Sequence, residues 1–212
     1  MKFKIHYHNH SEAVIKNDKK FIDTFKELTT VINSITDDEI IKKFVQTRDN
    51  GKKGQKSPSV AINNILKEKL VKLGWKAESP IFAGEDYQYQ LKDGKYTKKK
   101  LGTWRLDFVK DLIAVEVAFN HGEAIAHNLL KPHLSSQMNH VGKETDTELG
   151  VVICVTEKFK NRCNFDNAVG HFEKQLVYLK PYSQILTTPL VIIGLDGPQS
   201  FTINKEKEVI YI

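Results

Sequence analysis

The sequence predicts an α/β fold: a mixed central β-sheet flanked by helices, with a helical N-terminal region. Three observations carry this. Apolar residues recur at helical spacing through about the first 75 positions, and from Trp75 the pattern changes to short alternating strands. The later segments then read strand, helix, strand, helix, strand, and the closing apolar run Pro189 to Leu195 suits a strand covered on both faces. The 212 residues are expected to form one domain, its helical part about 1–75 and its sheet core about 75–212.

After a short start, Phe21, Ile22, Phe25, Leu28 and Ile32 fall on one helical face. Thr36 and Glu39 form a capping-box pattern, each able to satisfy the other's free backbone donor, and Ile40, Ile41, Phe44 and Val45 are the buried side of the helix they open. Arg48 to Lys56 is polar, basic and glycine-containing, hence a loop. Ser57 can cap a third helix and Pro58 suits its first position. Ile62, Ile65, Leu66, Leu70 and Leu73 line that helix, and Gly74 ends it.

Asp86 to Leu91 alternates as a strand, and Lys92-Asp93-Gly94-Lys95 reads as a hairpin turn. Trp104 to Val109 and Leu112 to Phe119 are further strands, and Gly122 to Met138 is a helix with a kink expected at Pro132. Gly150 to Thr156 is an apolar strand, and Ala168, Phe172, Leu176 and Leu179 mark a helix stopped at Pro181.

Composition narrows the function classes. Apolar residues are 40% and charged residues 27%, as in a globular chain. No stretch is apolar enough to span a membrane, and the start carries no secretory pattern. Two cysteines make no disulfide framework, so a reduced, cytoplasmic setting is expected. The net charge of +6 favours a polyanionic partner.

The chemistry concentrates between Leu106 and Asn120. Alternation puts Ile113, Val115, Val117 and Phe119 on one face of the strand and Leu112, Ala114, Glu116 and Ala118 on the other. A carboxylate in so apolar a strand is costly to dehydrate unless a cation or good donors meet it. The alanines beside Glu116 predict open space around it. Asp107 lies across a turn near Lys110-Asp111, so two adjacent strands would bring both acids together. Two hard oxygen ligands plus a strand carbonyl suit Mg²⁺. A surface Glu paired with Lys is the alternative. His6, His8 and His10 would share a strand face and offer a rival, histidine-bound metalloenzyme, although Asn9 to Glu12 also reads as a helix cap.

The Asp107 and Glu116 spacing resembles the PD-(D/E)XK nuclease motif, with Leu106 where Ser or Pro is usual and Ala118 where the final Lys is usual. Further segments extend the likeness: Gly54 to Pro58, Ala61-Ile62-Asn63, Lys67 to Leu70, Gly74-Trp75-Lys76 and Pro189 to Gly194. Together they resemble type II restriction endonucleases of the BglII/BstYI group.

That resemblance implies a restriction-endonuclease-like core and a homodimer that cuts a palindromic double-stranded DNA site with Mg²⁺. GATC-centred sequences are the common targets. Asp107 and Glu116 would be catalytic metal ligands, and the Val117 carbonyl a third ligand. Position 118 is usually Gln in the group and Glu or Lys in relatives, so Ala118 leaves three accounts. Metal and phosphate alone position the water, another group such as Lys110 substitutes, or the chain is a catalytically impaired DNA-binding protein. On this expectation a longer polar side chain at 118 raises cleavage. Asn120 and His121 stand where relatives read bases, with a helix cap by Asn120 as the alternative. Lys52, Lys53, Lys56 and Lys110 are candidate DNA contacts, as are Lys98 to Lys100 and Arg105 near the acids.

Overall fold

The computed structural model describes residues 1–212 apart from 51–54, 83–85, 101–103 and 138–141, and apart from the side chains of 86–87 and 98–100. The chain begins with β1 (Phe3–His8), α1 (Ser11–Asn17), α2 (Lys19–Ser34), α3 (Asp37–Asp49) and α4 (Ser59–Lys72). Next come β2 (Lys76–Pro80), the hairpin of β3 (Asp86–Gln90) and β4 (Tyr96–Lys100), then β5 (Arg105–Lys110) and β6 (Ile113–Val117). A single 3-10 turn, Gly122–Ala124, opens α5 (Ile125–Gln137). The chain continues through β7 (Leu149–Val155), α6 (Glu157–Arg162), α7 (Phe172–Tyr182) and β8 (Leu190–Leu195), and then β9 (Phe201–Ile203) pairs with β10 (Val209–Tyr211).

Six strands form one mixed sheet in the order β1-β8-β7-β6-β5-β2. The inner strands β6, β7 and β8 run parallel. β1 and β5 pair antiparallel on either side of them, and β2 pairs antiparallel with β5. Each inner strand is buried along its whole length, which explains the apolar runs in the sequence. Val115, Val117, Val151, Ile153, Val191 and Ile193 join Phe21, Leu28, Ile62 and Leu66 in one core. The other face, with Ala118, Val152, Cys154 and Ile192, packs with Ile125 and Leu129 of α5 and Phe172 and Leu179 of α7. The N-terminal helices are therefore one layer over the sheet.

The capping box forms as read, with Glu39 N donating to Thr36 Oγ1 and Thr36 N to Glu39 Oε2. Gly74 ends α4 at φ +88, with its N–H on Val71 O and that of Trp75 on Leu70 O. The β3–β4 hairpin turns where Gly94 takes φ +83.

Several expectations are corrected. The start is the strand β1, because its alternation of charged and apolar residues fits an edge strand with a single partner, β8. Ser57 does not cap α4: Pro58 holds that position and the Ser57 hydroxyl meets Ser59 Oγ. Pro181 lies inside the last turn of α7, and Ala168 lies before the helix, with His171 at its N-cap. His10 holds the N-cap position of α1 in a left-handed conformation but its side chain makes no capping bond, and Ser11 Oγ donates to Leu190 O. Among the described residues, no helix is long and apolar enough to cross a membrane.

Close approach of α7 to β8 depends on Gly194, where an added Cβ would fall 2.6 Å from the Phe172 ring and 2.8 Å from its Cβ. Gly194→Ala is expected to lower unfolding free energy by about 1–3 kcal/mol, read from urea denaturation, because backbone on both sides must shift.

Candidate active site

The turn between β5 and β6 is as short as an antiparallel pair allows. Lys110 pairs with Ile113, leaving Asp111 and Leu112 as a two-residue loop. Asp111 takes φ 49, which Asp tolerates better than most residues, and its carboxylate accepts from Thr24 Oγ1 of α2 at 2.5 Å. The register sets Phe108 opposite Val115. Asp107 Oδ2 then accepts the backbone N–H of Val117 at 2.6 Å, so the two acids are tied through the peptide next to Glu116.

Glu116 is 2% exposed. Its Oε2 accepts from Lys131 Nζ of α5 at 2.5 Å, while its Oε1 is buried with no hydrogen-bond partner among the described residues. Burial pushes the Glu116 carboxyl up to about 8, the nearby Asp107 charge adds to this, and the Lys131 cation and the backbone N–H of Asp107 oppose it without prevailing. Burial also holds Asp107 above the usual carboxylate range, with Glu78 adding and the Val117 amide and Lys131 opposing. Both acids therefore resist ionisation chiefly because they are buried, even with a lysine beside them. The orphaned Oε1 fits a hard cation. The Val117 carbonyl accepts from Phe119 N at 3.3 Å and keeps a second lone pair.

Beside Asp107 a cleft of about 160 Å³ is lined by Asn63, Asn64 and Lys67 of α4, Ala77 and Glu78 of β2, and Phe108. Asn63 thus lines the same cleft as Asp107. Glu78 takes φ 53 and interrupts the β2–β5 pairing, which holds at Ala77 with Phe108 and at Ser79 with Leu106. Among the described residues, no group of three or more His, Cys, Asp or Glu is placed to hold a metal ion. The two strand acids therefore lack a third side chain of that kind. The His6, His8 and His10 set does not form such a group either, since His10 leaves the strand and His8 Nε2 meets Leu186 O.

The open space expected around Glu116 is absent. Ala118 is 1% exposed and packs in the core that holds Ile125 and Leu129 of α5. Its small methyl lets the helix lie close, so a longer side chain at 118 meets α5 rather than solvent. The Glu116 partner is neither the surface Lys of the alternative reading nor Lys110, but Lys131. Its signal was available: a single cation between Leu130 and Pro132 in an apolar stretch. Nothing in the sequence marked Glu78.

Lys110 is bonded elsewhere than to the acids of the strands: its Nζ donates to Glu27 Oε1 at 2.7 Å and to Leu73 O at 2.8 Å. The same Glu27 oxygen accepts from Trp75 Nε1. Asn120 does not cap a helix; its Oδ1 accepts from Asn128 Nδ2 at 2.9 Å. His121 is 65% exposed, with Nε2 4.0 Å from Asp166 Oδ2. Lys56 lines a cleft of about 610 Å³ with Lys160, Asn161, Asn164, Asn167 and Lys205. Lys52 and Lys53, and the side chains of Lys98 to Lys100, lie outside the described residues. Arg105 is exposed.

The chain is similar to two solved structures. Restriction endonuclease BglII complexed with a DNA 16-mer superposes with a TM-score of 0.63 at 18% identity, covering 95% of this chain and 80% of that one. Free BglII superposes with a TM-score of 0.55 at 14% identity over 100% of each chain. At these identities the likeness shows the fold alone. No curated protein sequence matches. The family model described as restriction endonuclease BglII/BglIII matches residues 3–195, from the first strand to the last strand of the sheet, and the chain belongs to that restriction endonuclease family.

Proposed function

We propose that the chain is a type II restriction endonuclease that hydrolyses phosphodiester bonds in a short palindromic site, GATC-centred, in double-stranded DNA with Mg²⁺. The observation that carries this is Asp107, bonded to the Val117 N–H, on the strand adjacent to a buried Glu116 whose Oε1 has no hydrogen-bond partner among the described residues, in a chain of the restriction endonuclease family. Asp107, Glu116 and the Val117 carbonyl would hold the cation. When bound, it polarises the phosphodiester and lowers the pKa of an attacking water. Mg²⁺ is usually held by one or two carboxylates together with substrate phosphate and water, which suits a site with two acids.

The chain's own residues orient the substrate. His121, with Lys56, Lys160 and Lys205 along the larger cleft, offers cations and donors to a duplex lying across the carboxyl ends of β6 and β7. Segment 166–170 is bonded along 120–122, through Gly122 N to Ala168 O and Gly170 N to Asn120 O, so these groups share one surface. A palindromic target calls for a homodimer with one active site per strand.

Ala118 favours a second reading, a DNA-binding protein of the same fold with impaired cutting. A plasmid assay separates the two. Discrete linear fragments in Mg²⁺ support the nuclease; a salt-sensitive gel shift without fragments supports the second reading. Neither fragments nor shift would remove both.

Asp107→Asn and Glu116→Gln are each expected to lower Mg²⁺-dependent cleavage by on the order of 10²–10³-fold while preserving the gel shift in Ca²⁺. A carboxyl raised in the folded state contributes stability below its unfolded pKa, and loses it as pH rises through about 8. Metal-free unfolding free energy should therefore decline across the window from about 5 to 8, and Glu116→Gln should flatten that decline in urea titrations run at several pH values.

A further inference from the structure

Lys131 has a built position. Its side chain is 19% exposed although it carries a charge. α5 is seated on the sheet by Ile125 and Leu129, by the methyl of Ala118 and by Pro132 against Gly150, where an added Cβ would fall 2.7 Å from Pro132 Cβ. Two small residues on the sheet thus let α5 come close enough for a lysine to reach a buried strand carboxylate. The ion pair engages Oε2, and Oε1 has no hydrogen-bond partner among the described residues. A half-satisfied buried carboxylate costs free energy in the resting protein. One that served stability alone would be fully paired or replaced by an apolar residue.

We propose that Lys131 is a resident counter-ion: it holds Glu116 while no divalent cation is present, yields Oε2 when one is taken up with DNA, and moves its Nζ to a non-bridging oxygen of the scissile phosphate. This rests on the reading of Asp107 and Glu116 as cation ligands. Two cations on one carboxylate repel, so the ammonium and a divalent ion compete for Glu116. A phosphodiester oxygen supplies the anion to which the displaced ammonium turns, a contact the Ala118 methyl cannot make. Lys131 is then both a brake on cation binding by the free protein and a positioning cation for the substrate.

These two roles move in opposite directions when the charge is removed. In the full-length protein, Lys131→Met is expected to bind Ca²⁺ roughly tenfold more tightly without DNA, measured by isothermal titration calorimetry. The same variant is expected to cut plasmid in Mg²⁺ on the order of 10²-fold more slowly, with Lys131→Arg recovering part of the rate. Lys131→Gln, neutral but still a donor, is the second variant should the methionine one not fold. Unchanged or weaker Ca²⁺ binding by the neutral variant overturns the proposal, as does failure of both neutral variants to fold, since Lys131 would then be a purely structural partner. Glu116→Gln separates the underlying reading. If it binds Ca²⁺ as the unaltered protein does, Glu116 is no ligand and both fall; if it loses binding while Lys131→Met changes nothing, the counter-ion role alone fails.

Discussion

A carboxylate buried in the middle of an apolar sheet is the constraint around which this structure is arranged. Glu116 cannot be dehydrated alone without a large cost. The fold meets that cost incompletely: one oxygen is paired to Lys131, and the other has no hydrogen-bond partner among the described residues. Several otherwise unremarkable choices follow. Ala118 must be small so that α5 can approach. Gly150 must lack a Cβ so that Pro132 can seat beside it. The β5–β6 turn must be two residues long so that Asp107 reaches the peptide that follows Glu116.

The N-terminal helices serve the same arrangement from the opposite face. Thr24 holds the Asp111 carboxylate, and Glu27 gathers Trp75 and Lys110. Both sit on α2 and both grip the C-terminal end of β5 at the turn into β6, fixing the hairpin that carries the acids. α4 adds Asn63, Asn64 and Lys67 to the cleft beside Asp107. A helical layer that reads as mere cover in sequence therefore sets the register of the site. The left-handed Glu78 belongs to this side too, since it opens the β2–β5 ladder where Asp107 needs room.

Much of the fold was legible because its signals are local. The Thr36–Glu39 box, the Gly74 stop, the Gly94 turn and the apolar strands β7 and β8 each report a neighbour a few residues away or a burial state shared by a whole segment. The edge strand β1 was missed because its single partner lies nearly the full length of the chain away, at Leu190–Leu195. Ser57 and Asn9 to Glu12 failed as caps for a related reason: local polar groups found other partners, Ser59 for one and the backbone of β8 for Ser11.

For the site, the sequence by itself determined the family, the two adjacent strands that carry Asp107 and Glu116 and the face on which Glu116 lies, because alternation along a strand and a short turn are properties of adjacent residues. It could not determine what meets Glu116. The alanines at 114 and 118 leave volume, and volume beside a sheet can be filled by solvent or by a helix with equal local logic. Packing decided for the helix, and with it the partner: Lys131, fifteen residues on, placed by the seating of α5 on β7 rather than by any spacing in the motif.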